Sequence, residues 1–171
     1  MDRHLFVLRH AKSSWEDPSL ADHDRPLNDR GQDALPKLQR ALTQHTDAID
    51  VVLCSSAVRT VATLDGVRGA LRDDVEVVVD TELYGASAAT WMERCRELDD
   101  GAGGALLVGH NPGLEDLIIE VTGAGEAPAL DQLASKVPTG ALACCSFEGS
   151  WSELGAGSCY LDALLIPKRL P

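Results

Sequence analysis

A chain of 171 residues has the length of one domain, and a single domain over residues 1–171 is expected, with a core large enough to need no staples. Its 27 acidic residues outnumber 15 basic ones, giving a net charge of −12, which speaks against broad nucleic-acid binding because that needs a surplus of Lys and Arg facing phosphates. A hydrophobic share of 44% argues against global disorder, no apolar run approaches the roughly 20 residues of a membrane span, and the Met1-Asp2-Arg3-His4 start lacks a signal-peptide layout, so a cytoplasmic location is expected.

In chain order, Leu5-Phe6-Val7-Leu8 reads as a buried strand, followed by a helical pattern near 28–44. Pro36 lies inside that pattern and either kinks the helix or marks its start. Val51-Val52-Leu53, a helix near 56–71, the strand Val75 to Val79 and a helix near 87–98 come next. The flexible Gly101-Ala102-Gly103-Gly104 leads into the strand Ala105 to Val108 and a helix at 111–121. Residues 122–140, rich in Gly, Pro and Ala, read as a loop with a short helical piece. Ala141 to Phe147 and Tyr160 to Ile166 read as two strands joined through turn-rich sequence, an antiparallel pair. Strand–helix alternation of this kind predicts an α/β fold: a three-layer α/β/α sandwich with a mainly parallel sheet and an antiparallel edge contribution from the late strands.

Five cysteines, Cys54, Cys95, Cys144, Cys145 and Cys159, form no CxxC pair and no cluster with His, so reduced, buried thiols are expected and no zinc site is. Cys144 and Cys145, adjacent on a strand, should face opposite sides of the sheet.

In an open α/β sheet, ligands bind beyond the carboxyl ends of the strands. Arg9-His10-Ala11-Lys12 follows the first strand, Ser55 to Thr60 with Arg59 the second, Thr81-Glu82-Leu83-Tyr84-Gly85 the third, and Gly109-His110-Asn111-Pro112-Gly113 the fourth. Two Arg, two His and a Glu thus converge on one edge. Arg binds phosphate through a planar fork of donors and stays charged. A neutral imidazole beside two arginines can accept a phosphoryl group, and the like charge helps to keep it neutral. Asn111 suits a helix N-cap and Pro112 the first helical position, which would aim that helix's free amides at the anion.

The segment Leu8-Arg9-His10-Ala11-Lys12-Ser13-Ser14-Trp15 resembles the RHG/RHA signature of the histidine phosphatase (phosphoglycerate-mutase-like) superfamily, most closely its small SixA-type phosphohistidine phosphatase branch. Asp24-Arg25-Pro26-Leu27-Asn28 with Arg30-Gly31, Ser55 to Thr63, Gly109 to Glu115, Val137-Pro138-Thr139-Gly140-Ala141 and Pro167-Lys168 continue the resemblance in order, from residue 5 to 168. The resemblance implies that His10 is the phosphoryl-accepting nucleophile and that Arg9, Arg59 and His110 complete the phosphate pocket. It makes Arg25 a further phosphate or substrate contact and puts Glu82 where larger members carry their proton donor. It implies a phosphatase that needs no metal or other cofactor and passes through a phosphohistidine intermediate, with protein phosphohistidine as substrate. The alternatives are a phosphatase for small phosphorylated metabolites and a weakly catalytic phospho-ligand binding module. A mutase fits less well, because the chain is short for the elements that would hold a second substrate orientation.

Each residue also has a plainer reading. Arg59 could pair on a helix surface, Arg25 could anchor a loop, and Glu82 could be an N-cap or surface carboxylate. His23, between Asp22 and Asp24, reads as a solvated loop cluster, with His23, Asp22 or the substrate itself as the alternative proton donor. Ser13, Ser14 and Thr139 could bond a phosphate, Lys12 and Lys136 should be exposed, and Trp15 could wall the site or pack. His4 and His45 belong to no motif.

Overall fold

The computed structural model describes residues 2–171. Seven strands form one sheet: β1 (Asp2–Arg9), β2 (Val51–Ser55), β3 (Glu76–Asp80), β4 (Gly104–Gly109), β5 (Thr122–Gly125), β6 (Leu142–Glu148) and β7 (Cys159–Leu165). Their order is β3-β2-β4-β1-β6-β7-β5. The pairs β3–β2, β2–β4, β4–β1 and β7–β5 are parallel, whereas β6 is antiparallel to both β1 and β7. Six strands therefore run one way, and β6 supplies the antiparallel contribution expected of the late strands. The carboxyl ends of β1, β2, β3 and β4 gather along one border.

Strand alternation builds two cores. On β1, Leu5 and Val7 enter one apolar cluster and Phe6 and Leu8 the other. β4 divides in the same way, with Ala105 and Leu107 opposite Leu106 and Val108. The helices are α1 (Asp29–Thr43), α2 (Val58–Val67), α3 (Ala88–Arg96), α4 (Gly113–Val121) and α5 (Ala127–Ser135). Leu38 and Leu42 of α1 and Leu64 and Val67 of α2 cover one face. Trp91 of α3, Leu114, Leu117 and Ile118 of α4 and Leu133 of α5 cover the other. Apolar side chains at these spacings form helix stripes that gain stability only against such a sheet. All five cysteines are free and buried, and Cys144 and Cys145 fall in opposite clusters as strand geometry requires. Burial pushes the thiols of Cys54 and Cys144 up to about 12.

Three expectations are refined. Helix α1 runs through Pro36, and its start is set instead by Asn28, whose side chain accepts the amide of Gly31 at 2.9 Å. Residues 122–140 hold more structure than a loop, since Thr122–Gly125 forms the border strand β5 and Ala127–Ser135 a full helix. Asn111 is not an N-cap: α4 starts after Pro112, and the Asn111 amide donates to Glu115 Oε2 at 2.8 Å and to the Val137 carbonyl at 2.9 Å. A side chain that donates to a carboxylate and a carbonyl ties two segments together, and its Oδ1 accepts no amide of the helix. The first amides of α4 are also partly engaged, because Leu114 N bonds the His110 carbonyl at 2.9 Å.

Candidate active site

His10 is the first residue beyond β1, and its backbone is fixed from two sides. Its amide bonds the Gly109 carbonyl at 3.0 Å, and its carbonyl accepts from Gly140 N at 2.9 Å. Gly140 also donates to the Arg9 carbonyl at 3.1 Å, and its φ of +74° is a conformation that favours glycine. Helix α2 completes the frame. Thr63 Oγ1 accepts from Ala11 N at 3.0 Å and donates to the Arg59 carbonyl at 2.7 Å, coupling the loop after β1 to the helix that carries Arg59.

The imidazole of His10 bonds the Ala11 carbonyl through Nδ1 at 2.7 Å. A carbonyl only accepts, so Nδ1 carries the proton and Nε2 is left with a lone pair. The ring centroid of His110 lies 5.3 Å away. His110 Nε2 is 2.7 Å from Ser55 Oγ, which itself accepts from Ala57 N at 3.4 Å. With the hydroxyl donating its proton to His110 Nε2, the ring N–H falls on Nδ1. His10, Arg25, Arg59 and His110 are 6–8% exposed, all buried at the strand ends. Among the described residues, the buried side-chain polar atoms without a partner are Arg9 Nε, His110 Nδ1 and Asn111 Oδ1, all three on the two motifs that follow β1 and β4. Buried donors left unpaired cost free energy, and Arg9 Nε and His110 Nδ1 are the kind of donor that an oxyanion would satisfy.

Burial lowers the pKa of His10 from 6.5 to about 4, assisted by the charges of Arg59, Arg9 and Arg25 and opposed by the Ala11 hydrogen bond. Burial likewise takes His110 to about 3, with Arg59, His10 and Arg9 adding to the shift and Asp22 opposing it. The unfolded chain would protonate both rings near 6.5, so between there and about 4 it binds more protons than the folded one. The stability these rings contribute is thus present above pH 6.5 and is lost as pH falls toward about 4. NMR titration of His10 should give a midpoint near pH 4, and the urea midpoint should fall over the same window, less steeply in His10→Asn. An ordinary midpoint near 6.5 would contradict the buried, arginine-flanked ring.

The loop that follows the first motif brings in the Asp22 carboxylate, offered by the sequence only as an alternative proton donor. Asp22 Oδ2 accepts from Tyr84 Oη at 2.6 Å and from Arg59 Nη2 at 3.0 Å, and its Oδ1 accepts from Arg25 Nη1 at 2.8 Å. Arg59 Nη1 also bonds the Asp22 carbonyl at 2.6 Å. The Tyr84 hydroxyl first, then Arg59 and Arg25, hold the Asp22 carboxyl down at about 2 against its partial burial. It is therefore ionised at neutral pH and cannot serve as a general acid there. The Tyr84 ring stands edge-on to His110 at 5.5 Å and to His23 at 4.9 Å. His23 bonds Ser56 Oγ at 2.9 Å through Nε2 and Asp24 at 3.0 Å through Nδ1.

Arg25 sits among its own loop. Its Nε donates to the Ser14 carbonyl at 2.9 Å, Nη2 to Ser13 Oγ and Nη1 to Asp22. Its guanidinium carbon lies 3.2 Å from the centroid of Trp15, a ring that is 73% exposed. This geometry is that of a loop anchor. Glu82 lies on the turn after β3 with its carboxylate 77% exposed and 3.5 Å from Arg94, which also pairs with Asp80. The residue that reaches inward from this turn is Tyr84, two positions later. His10, Arg59 and His110 are thus brought together, Arg9 donates to the Val137 carbonyl at 2.8 Å and is near enough for its charge to act on both rings, Arg25 borders them, and Glu82 is directed to Arg94. Asp22 joins the site as a partner of the arginines rather than as the alternative proton donor, and Tyr84 and Ser55, visible only as parts of the segments after β3 and β2, join it as ring and hydroxyl neighbours of His110.

The family model described as histidine phosphatase superfamily (branch 1) matches residues 5–110. An uncharacterized protein of Mycobacterium tuberculosis is 32% identical over 165 residues, covering 94% of this chain and 100% of the relative. Among solved structures, a candidate phosphohistidine phosphatase SixA of Nakamurella multipartitia superposes with a TM-score of 0.84 at 28% identity, covering 98% of this chain and 97% of the other. A candidate SixA of Agrobacterium tumefaciens gives 0.79 at 27% identity, covering 96% and 98%. With the motifs in family order and the fold shared end to end, the chain belongs to the histidine phosphatase superfamily, in its SixA-type branch, and is a phosphatase.

Proposed function

We propose that residues 1–171 act as one histidine phosphatase domain that removes a phosphoryl group from protein phosphohistidine through a phosphorylated His10. The observation that carries this reading is the pairing of an imidazole with a free Nε2 lone pair with unpartnered buried donors on Arg9 and His110. Nε2 attacks phosphorus and the bond from phosphorus to the leaving nitrogen breaks. Charge developing on the phosphoryl oxygens meets Arg9, Arg59 and the Nδ1–H of His110. Water then attacks the phosphoryl group on His10, returning the imidazole and releasing inorganic phosphate. Arg25 supports this from the loop, where three of its five N–H donors hold Ser14, Asp22 and Ser13 and the second N–H of each Nη is left over for a phosphate or substrate contact.

A departing imidazole has a pKa near ~6.5, far below that of an alkoxide, so it needs less help from an acid. This favours phosphohistidine over alkyl phosphates for a site whose Glu82 faces Arg94 and whose Asp22 is held ionised. Glu82 would serve as proton donor after turning from Arg94, a modest cost for an exposed ion pair. Buried thiols at five positions fit a reducing, cytoplasmic setting. No helix among the described residues is long and apolar enough to cross a membrane.

The test is rapid quenching during turnover of a phosphohistidine-bearing protein labelled with radioactive phosphate. An acid-labile, base-stable phosphoenzyme should form and decay at the steady-state rate. Because arginines supply the positive charge, activity should persist in chelator. Loss of activity in EDTA restored by magnesium or zinc, or turnover with no phosphoenzyme, would overturn the mechanism.

A further inference from the structure

Beside the catalytic pocket lies a groove of about 650 Å³ between the start of α1, the end of α5 and the turn at Pro167–Arg169. All four lysines of the chain, Lys12, Lys37, Lys136 and Lys168, line it. Arg9, Arg30 and Arg169 line it too, so seven of the fifteen basic residues face one groove. Asp33 is the single acidic residue in the lining. Lys12, Arg30, Lys136, Lys168 and Arg169 are exposed, and none of the seven is in an ion pair among the described residues. Lys37 donates to the Leu170 carbonyl at 3.0 Å. In a protein of net charge −12, this concentration leaves the remaining surface more acidic still.

We infer that the groove docks an acidic face of the phosphoprotein substrate, a partner assignment that rests on the protein-phosphohistidine reading above. The groove joins the catalytic pocket through Arg9 and through residues 136–140, whose Gly140 amide is seated on the Arg9 and His10 carbonyls. A partner held there presents its modified residue beside His10. The charge distribution also orients the encounter. An acidic face meets like charge over much of the surface and attraction at this groove. The chemistry of the lining favours a protein over other polyanions. Exposed lysines are mobile point charges suited to scattered carboxylates. The lining has no aromatic ring on which a base could stack, and the acidic surroundings repel an extended nucleic acid. A small phosphorylated metabolite filling the phosphate pocket would leave these lysines without a function.

The test uses the full chain with its phosphate pocket filled by orthovanadate and a fluorescein-labelled oligoglutamate peptide as probe. Fluorescence anisotropy should show binding that weakens as salt is raised. The double variant Lys136→Glu/Lys168→Glu should weaken it about tenfold or more, whereas reversal of the exposed Arg68, away from the groove, should change it less than about twofold. With phosphohistidine protein and an aryl phosphate as paired substrates, the ratio of their kcat/KM values should fall about tenfold in the double variant. Circular dichroism checks folding, and Lys136→Ala/Lys168→Ala should give the same change in smaller degree. Peptide binding and substrate ratio both indifferent to the double variant would overturn the groove while leaving the phosphatase reading intact. Groove-dependent peptide binding without any phosphohistidine turnover would uphold the acidic-protein surface and remove the phosphatase's assigned substrate. Tighter binding of a single-stranded oligonucleotide than of the peptide would overturn the choice of partner.

Discussion

His10→Ala should lower kcat/KM by at least about 10³-fold while the protein stays folded. No neighbouring group can replace the lost imidazole. Cys54 is buried, bonds the Ser55 carbonyl and has its thiol pushed up to about 12. His110 has Nε2 engaged with Ser55, and Ser13 is held by Arg25. The structural loss is small by comparison. The substitution removes one side-chain bond to Ala11, worth about 1 kcal/mol, from a ring at a polar pocket outside the apolar clusters. Steady-state turnover, phosphoenzyme trapping and a thermal melt on the same preparation separate the two effects. Retention of more than a few per cent of activity without contamination would remove His10 as the acceptor.

Arg59→Gln comes next, with an expected loss of about 10²–10³-fold in kcat/KM, the range seen when one preorganised donor to a developing anion is removed. It carries a second readout. After burial, Arg59 is the first of the arginines that depress His10, and it acts on His110 too. Without its charge the His10 midpoint should climb from about 4 toward the ordinary value, raising the acid limb of the free enzyme's profile. Arg59→Lys should keep most of that electrostatic effect yet recover only part of the rate, since an ammonium lacks the planar fork. A rate loss with no movement of the His10 midpoint would mean that Arg59 acts only by holding the Asp22 loop.

The four strand-end motifs were legible because two independent signals coincide there. Apolar runs such as Leu5 to Leu8 and Ala105 to Val108 identify buried parallel strands, and chemistry-bearing residues follow them directly. β5 gave no such signal. Thr122-Gly123-Ala124-Gly125 has almost no side chain to pattern, and its pairing with β7 rests on close backbone approach. A Cβ on Gly123 would sit 2.2 Å from the Gly157 carbonyl oxygen, so the composition that reads as a loop is what lets this strand fit. The pairing of Asp22 with Tyr84 and the arginines was illegible for another reason. Their meeting depends on how the loop before α1 folds back over α2 and the β3 turn, a tertiary event with no local pattern. Asn111 shows the limit of local rules: its sequence context suits a cap, but two long-range acceptors, Glu115 and the Val137 carbonyl, claim its amide.

The Asp22 carboxylate competes with any anion for the arginines of the pocket. Bare guanidiniums at this depth would form a deep well for any oxyanion, including the phosphate that hydrolysis liberates. With Arg59 and Arg25 already sharing a carboxylate at 3.0 and 2.8 Å, an arriving phosphate meets charge that is partly neutralised and gains less than it would from bare guanidiniums. The discount falls mainly on loosely held states, bound substrate and spent product. The charge-spread phosphoryl group in flight draws harder on the same donors than a carboxylate does, so relatively little of its stabilisation is surrendered. A catalyst arranged in this way resists clogging by its own product.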